Sequence, residues 1–118
     1  MCSETSREWR FFLSDMIEFC EKVLAYTASC AREDFIHSDL IYDATLRNLE
    51  LIGEAATHIP RSVRDENAEI PWRKIIATRN RLIHGYLGVD NDVLWSVIQV
   101  ELPELVPKLK ELRRNFSF

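Results

Sequence analysis

Apolar side chains return every three or four residues over the first part of the chain, at Trp9, Phe12, Leu13, Met16, Ile17, Cys20, Val23 and Leu24. Arg10, Ser14, Glu18, Glu21 and Lys22 fall between them, so the spacing predicts an amphipathic helix from about Arg7 to Ala28. Thr5 or Ser6 can cap it. Ser29 to Ser38 reads as a connection, with Asp34 or Ser38 available to cap the next helix. That second helix is predicted from Asp39 to His58, with Leu40, Ile41, Ala44, Leu51, Ile52, Ala55 and Ile59 on one arc. Asn48 falls inside that arc; a buried amide must be satisfied, so it is expected to bond a neighbouring helix or line a site. Gly53, Ala55 and Ala56 are small enough to let another helix approach closely.

Beyond Pro60, Arg61 to Ala68 is predicted as a short extra helix. Pro71 pushes Ile70 extended and suits the first turn of a further helix running to about His84. Leu87 to Asn91 is a loop in which Asp90 or Asn91 can cap the last helix. That helix carries Val93, Leu94, Val97, Ile98, Leu102, Leu105, Val106, Leu109 and Leu112 on its apolar side, and Pro103 within the pattern predicts a kink or break. The tail from Arg113 onward is expected to fray. The sum is an all-α bundle of four main helices plus one short one, forming a single domain over residues 1–118.

The helix ending at His84 breaks the pattern in an informative way. With about 100° per residue and Arg79 as zero, Ile75, Ile76, Leu82, Ile83 and Tyr86 all fall within roughly 60° of it. A guanidinium in the middle of an apolar stripe needs a partner or a water-filled cleft. Asn80 and His84 are four apart and share a flank, and Gly85 can stop the helix. On the preceding helix Asp43, Glu50 and Glu54 sit together, with Arg47 among them. Either they form a solvated face with pairing along the helix, or Glu50 or Glu54 holds Arg79 or His84.

The 118 residues carry a formal charge of −4, so no global basic field advertises nucleic-acid binding. Locally, however, Arg73, Lys74, Arg79 and Arg81 lie between Glu69 and Asp90 with no acid among them. A second basic run, Lys108, Lys110, Arg113 and Arg114, is more simply a solvated helix face. Cys2, Cys20 and Cys30 are odd in number and lack C-x-x-C spacing, which fits a reduced cytoplasmic protein. No signal-peptide pattern and no apolar run of about 20 residues is present, so no membrane role is expected. Scattered histidines give no metal-ligand spacing, and no glycine-rich phosphate loop or G-x-S-x-G elbow suggests a cofactor or acyl chemistry.

Arg79, His84 and Tyr86, with Asn80 directly after the arginine, resemble the R-x4-H-x-Y signature of the HepT-like toxins within the HEPN superfamily of helical ribonucleases. The resemblance extends through Arg47 to Ala55, Ile70-Pro71-Trp72 and Leu94-Trp95, covering most of the chain from about Asp43. It implies a homodimer whose motifs face a shared cleft and which cleaves messenger or transfer RNA without a metal. Arg79 and His84 are then the catalytic residues, with Asn80, Asn48, Arg73, Lys74 and Arg81 supporting them or binding RNA. The chemistry is coherent, because RNA carries its own 2′-hydroxyl nucleophile, imidazole suits proton transfer near neutral pH, and guanidinium forks onto phosphate oxygens. In the same family the motif tyrosine, here Tyr86, is where a nucleotidyltransferase antitoxin of the MNT type attaches AMP. Two other readings stay open: a non-catalytic HEPN module binding RNA, a nucleotide or the nucleotidyltransferase, and a structural dimerisation protein with Arg79 salt-bridged in its core.

Overall fold

The computed structural model describes residues 2–85 and 88–116, with side chains from Glu8 onward. Among the described residues seven α-helical segments occur in order: α1 Cys2–Thr27, α2 Arg32–His37, α3 Asp39–Thr57, α4 Arg61–Glu66, α5 Trp72–His84, α6 Asn91–Ser96 and α7 Leu102–Asn115. A π-helical segment, Val97–Glu101, joins α6 to α7. Among the described residues there is no strand. The four long elements of the expected bundle are therefore α1, α3, α5 and the continuous α6–π–α7 rod. The short α4 is where the sequence placed it, and α2 is a second short helix within the expected connection. Its Glu33 and Asp34 favour the helix N-terminus, and Asp34 Oδ2 accepts from the Ala31 N–H at 3.3 Å.

The α1 stripe is buried as its spacing predicts. Leu13, Met16, Cys20 and Val23 are fully covered, each apolar side chain of Leu or Met size contributing about 1.5–3 kcal/mol. The helix begins at Cys2, so Thr5 and Ser6 lie within it rather than at its cap. Helix α1 packs on α3 and α7, and α3 packs in turn on α5, which makes α3 the middle layer. Ser38 caps α3 by accepting from the Ile41 N–H.

Helix α3 is buried along Thr45, Asn48, Leu49, Ile52, Gly53, Ala55 and Ala56, a wider face than its large apolar residues suggest. Leu40, expected on that face, is 81% exposed. The reason is that α3 contacts helices on two sides, and small residues make much of the contact without standing out in an apolar pattern. At the far end Phe116 is held rather than frayed. Its ring meets Trp9 edge-on at 5.3 Å, and its carbonyl accepts from Arg10 Nη1 at 2.7 Å.

Pro103 acts through the π-helical segment. It has no N–H to continue the α ladder, and the Leu102 N–H instead reaches back five residues to the Val97 carbonyl. The wider winding keeps Leu94, Ile98 and Leu102, spaced four apart, on one buried line. Val93, expected on the same side, is 57% exposed. Pro107 lies within α7 without ending it.

Candidate active site

The site is built where α5 crosses α3. Gly53 is the contact point: a Cβ added there would lie 2.1 Å from Arg79 Cβ and 3.1 Å from the Ile75 carbonyl oxygen. Only hydrogen at this position lets the α5 backbone come close enough to lay the Arg79 stem against α3. From there the guanidinium reaches the edge of the interface, where Nη2 pairs with Glu54 Oε2 and Nη1 donates to Asn80 Oδ1 at 2.8 Å. Arg79 Nε is buried with no hydrogen-bond partner among the described residues. Two of the five guanidinium donors are thus engaged, and the group is held in one orientation. Its side chain keeps 26% exposure and that of Glu54 48%, so the pair sits at a solvent-reached edge rather than in the core.

Of the two arrangements open for the acidic flank, Glu54 takes the one that holds Arg79. Glu50 instead pairs with Arg47 along α3 at 3.2 Å. Glu54 has a second neighbour, His58, whose Nε2 lies 3.7 Å from Oε1 while its ring stacks on Phe12 at 4.2 Å. His58 is therefore a packing residue at the end of α3.

Asn80 and His84 are both exposed on α5, one turn apart. Because Arg79 Nη1 bonds the Asn80 carboxamide, the guanidinium leans toward the flank that also carries His84. Gly85 ends the helix in the left-handed region, φ 67°, with its N–H donating to the Arg81 carbonyl. His84 is thereby the last helical residue. Tyr86 lies outside the described residues.

The supporting residues divide. Asn48 is buried, and its amide donates at 2.8 Å to the Ala44 carbonyl of its own helix rather than across to a neighbour. Lys74 pairs with Glu101 of the π-helical segment at 2.6 Å. Arg73 and Arg81 are exposed. In the second basic run, Lys110 pairs with Glu21 of α1, Arg114 with Glu111 along α7, and Lys108 donates to the Glu69 carbonyl between α4 and α5.

The chain is similar to known proteins over most of its length. The family described as Ribonuclease HepT-like matches residues 16–112. The chain belongs to the HepT-like ribonuclease family. Its HEPN-type all-α fold follows from that membership and from the bundle described above. Among similar proteins, one named "Probable ribonuclease HepT" from Thermococcus cleftensis is 37% identical over 92% of this chain and 98% of its own. Another, named a "Putative RNase" from Caldanaerobacter subterraneus subsp. tengcongensis, is 34% identical over 87% of this chain and 92% of its own. No solved structure matches the chain. No helix among the described residues of this HepT-like protein is long and apolar enough to cross a membrane.

Proposed function

We propose that this HepT-like protein is a metal-independent endoribonuclease, the toxin of a toxin–antitoxin pair, acting as a homodimer. The observation that carries the reading is the Arg79–Asn80 hydrogen bond, which draws the guanidinium to the flank of His84. In the reaction the RNA 2′-oxygen attacks the adjacent phosphorus and the bond to the 5′-oxygen breaks. Products carry a 2′,3′-cyclic phosphate and a 5′-hydroxyl. One imidazole takes the 2′-proton and another protonates the leaving 5′-oxygen, while Arg79 stabilises the charge gathering on the non-bridging oxygens.

Each motif has a single histidine, so acid and base are supplied by His84 of two copies facing one cleft. Ile83, 51% exposed beside His84, gives that end of α5 an apolar side chain for a second copy to cover. Asn48 supports the site through the α3 backbone, and Arg73 and Arg81 meet RNA phosphates; Lys74 joins them on leaving Glu101. A nucleotidyltransferase antitoxin silences the enzyme by attaching AMP to Tyr86, which would set anionic phosphates beside Arg79 and His84.

The test is cleavage of RNA by the unmodified protein in EDTA, with His84→Ala and Arg79→Ala alongside and circular dichroism to check folding. Cyclic-phosphate ends from wild type and a loss of about a hundredfold or more in both variants are expected. Equal cleavage by all three would remove these residues from the mechanism.

A further inference from the structure

Helices α4 and α5 enclose an open groove whose walls carry Arg61 and Arg64 on one side and Arg73 and Asn80 on the other. Its walls are tied together at the base: Trp72 Nε1 donates to the Asn67 carbonyl at 3.1 Å, and Asn67 Nδ2 donates to the Val63 carbonyl at 2.8 Å. The buried side chains of Ile70 and Trp72 make the floor. Along α5, Arg73, Ile76, Ala77 and Asn80 stand at i, i+3, i+4 and i+7, so they present one face about 10 Å long.

Three arginines in this groove, Arg61, Arg64 and Arg73, have no carboxylate partner among the described residues, and Arg64 Nε is buried without a hydrogen bond. Lys74, Arg79 and Lys110, by contrast, are each paired with a glutamate. One acid, Asp65, lines the groove and offsets only part of the charge. On a chain of net charge −4, an unneutralised arginine cluster in a preformed concave site is a local attractor for a polyanion. Asn80 belongs both to the groove and to the Arg79 guanidinium, so an anionic chain lying in the groove runs directly onto the catalytic arginine.

We infer that the α4–α5 groove binds the single-stranded RNA flanking the scissile phosphate, with Arg61, Arg64 and Arg73 on successive phosphates. The inference rests on the ribonuclease reading for the direction in which the strand continues. Guanidinium forks match phosphate oxygens, and the apolar side chains of Ile76 and Ala77 between the charged positions suit sugars and bases.

The experiment measures affinity of His84→Ala protein for a fluorescent single-stranded dodecaribonucleotide across a salt series, together with cleavage of the same RNA by the parent. Arg61→Gln, Arg64→Gln and Arg73→Gln are combined in one variant; Lys22→Gln with Arg113→Gln, both remote from the groove, is the charge control. Arg73→Gln alone guards against misfolding of the triple variant. The groove variant should bind at least about tenfold more weakly, with a log–log salt slope shallower by about 2, since each single-strand phosphate contact contributes about 0.7. Arg73→Gln should show a smaller loss in the same direction, and the control little change.

Unchanged affinity and slope would overturn the inference while leaving cleavage by the parent, and thus the ribonuclease reading, intact. An equal loss in the control would overturn it as an effect of bulk charge. Unchanged RNA affinity with lost retention on polyglutamate would overturn it in favour of an acidic protein partner. Groove-dependent binding by a parent that does not cleave would support the groove and defeat the ribonuclease reading.

Discussion

Gly53 shows how one missing methyl group decides a site. In an exposed helix, Gly→Ala stabilises by about 1 kcal/mol. Here the new Cβ would fall 2.1 Å from Arg79 Cβ, which neither backbone can accept without moving. Overpacking costs about 1–3 kcal/mol and wins. Gly53→Ala is therefore expected to lower the urea midpoint and, by displacing α5, to reduce RNA cleavage further than the stability loss explains. A variant more stable than wild type with full activity would show that α5 has room to shift. The Arg79–Glu54 pair acts differently. Partly exposed, it adds little stability on its own, about 0–1 kcal/mol, and its effect is to fix where the guanidinium points.

Among the elements, α5 and the α6–π–α7 rod divide the work. Helix α5 is stopped by Gly85 directly after the exposed His84, and it is held to α3 by the close approach at Gly53. The rod is started by Asp90, whose Oδ1 accepts from the N–H groups of Asp92 and Val93 at 2.9 and 3.3 Å. The same turn is tied back by Tyr42, which donates to Asn91 Oδ1 at 2.7 Å, and by the Arg32–Asp92 ion pair. Asp90→Ala removes the acceptor for both N–H groups and should cost about 1 kcal/mol. The check is a chemical denaturation curve, with the midpoint falling at unchanged slope. A stability loss below a few tenths of a kcal/mol would mean that Tyr42 and Arg32 suffice to start the rod.

For the whole molecule, stability should fall on the alkaline side. Burial in the core, with Glu21 adding to it, pushes the Cys20 thiol from 9.0 up to about 12. Burial, and then Asp43, also raises the Tyr42 hydroxyl above its ordinary value. A group whose folded pKa is raised holds its proton longer in the native state than in the unfolded chain. Its contribution is thus complete below the unfolded pKa and is lost as pH rises from about 9 toward 12. Urea midpoints measured from neutral pH to about pH 10 should decline. Cys20→Ala should start lower, because it opens a cavity, and decline less steeply. Parallel profiles would take Cys20 out of the alkaline transition.

The sequence by itself determined the helical class, the buried stripe of α1 and the stop at Gly85, because each follows from spacing or from one residue's local chemistry; it narrowed the caps to Asp34 or Ser38 and to Asp90 or Asn91, and the structure chose Ser38 and Asp90. It also placed Arg79, Asn80 and His84 on one helix and required that Arg79 have a partner or a water-filled cleft. Which partner was decided only by the tertiary structure, since Glu50 and Glu54 stand on the same flank and the crossing of α5 over α3 brings just one of them to the guanidinium. The exposure of Leu40 and Val93 was likewise invisible in the pattern, because a periodicity marks apolar faces but not which neighbours cover them. The arginine groove needed the fold most of all. Arg61 and Arg64 read only as residues of a short extra helix until the fold sets them across a groove from Arg73, with Asn80 in the same groove and bonded to Arg79.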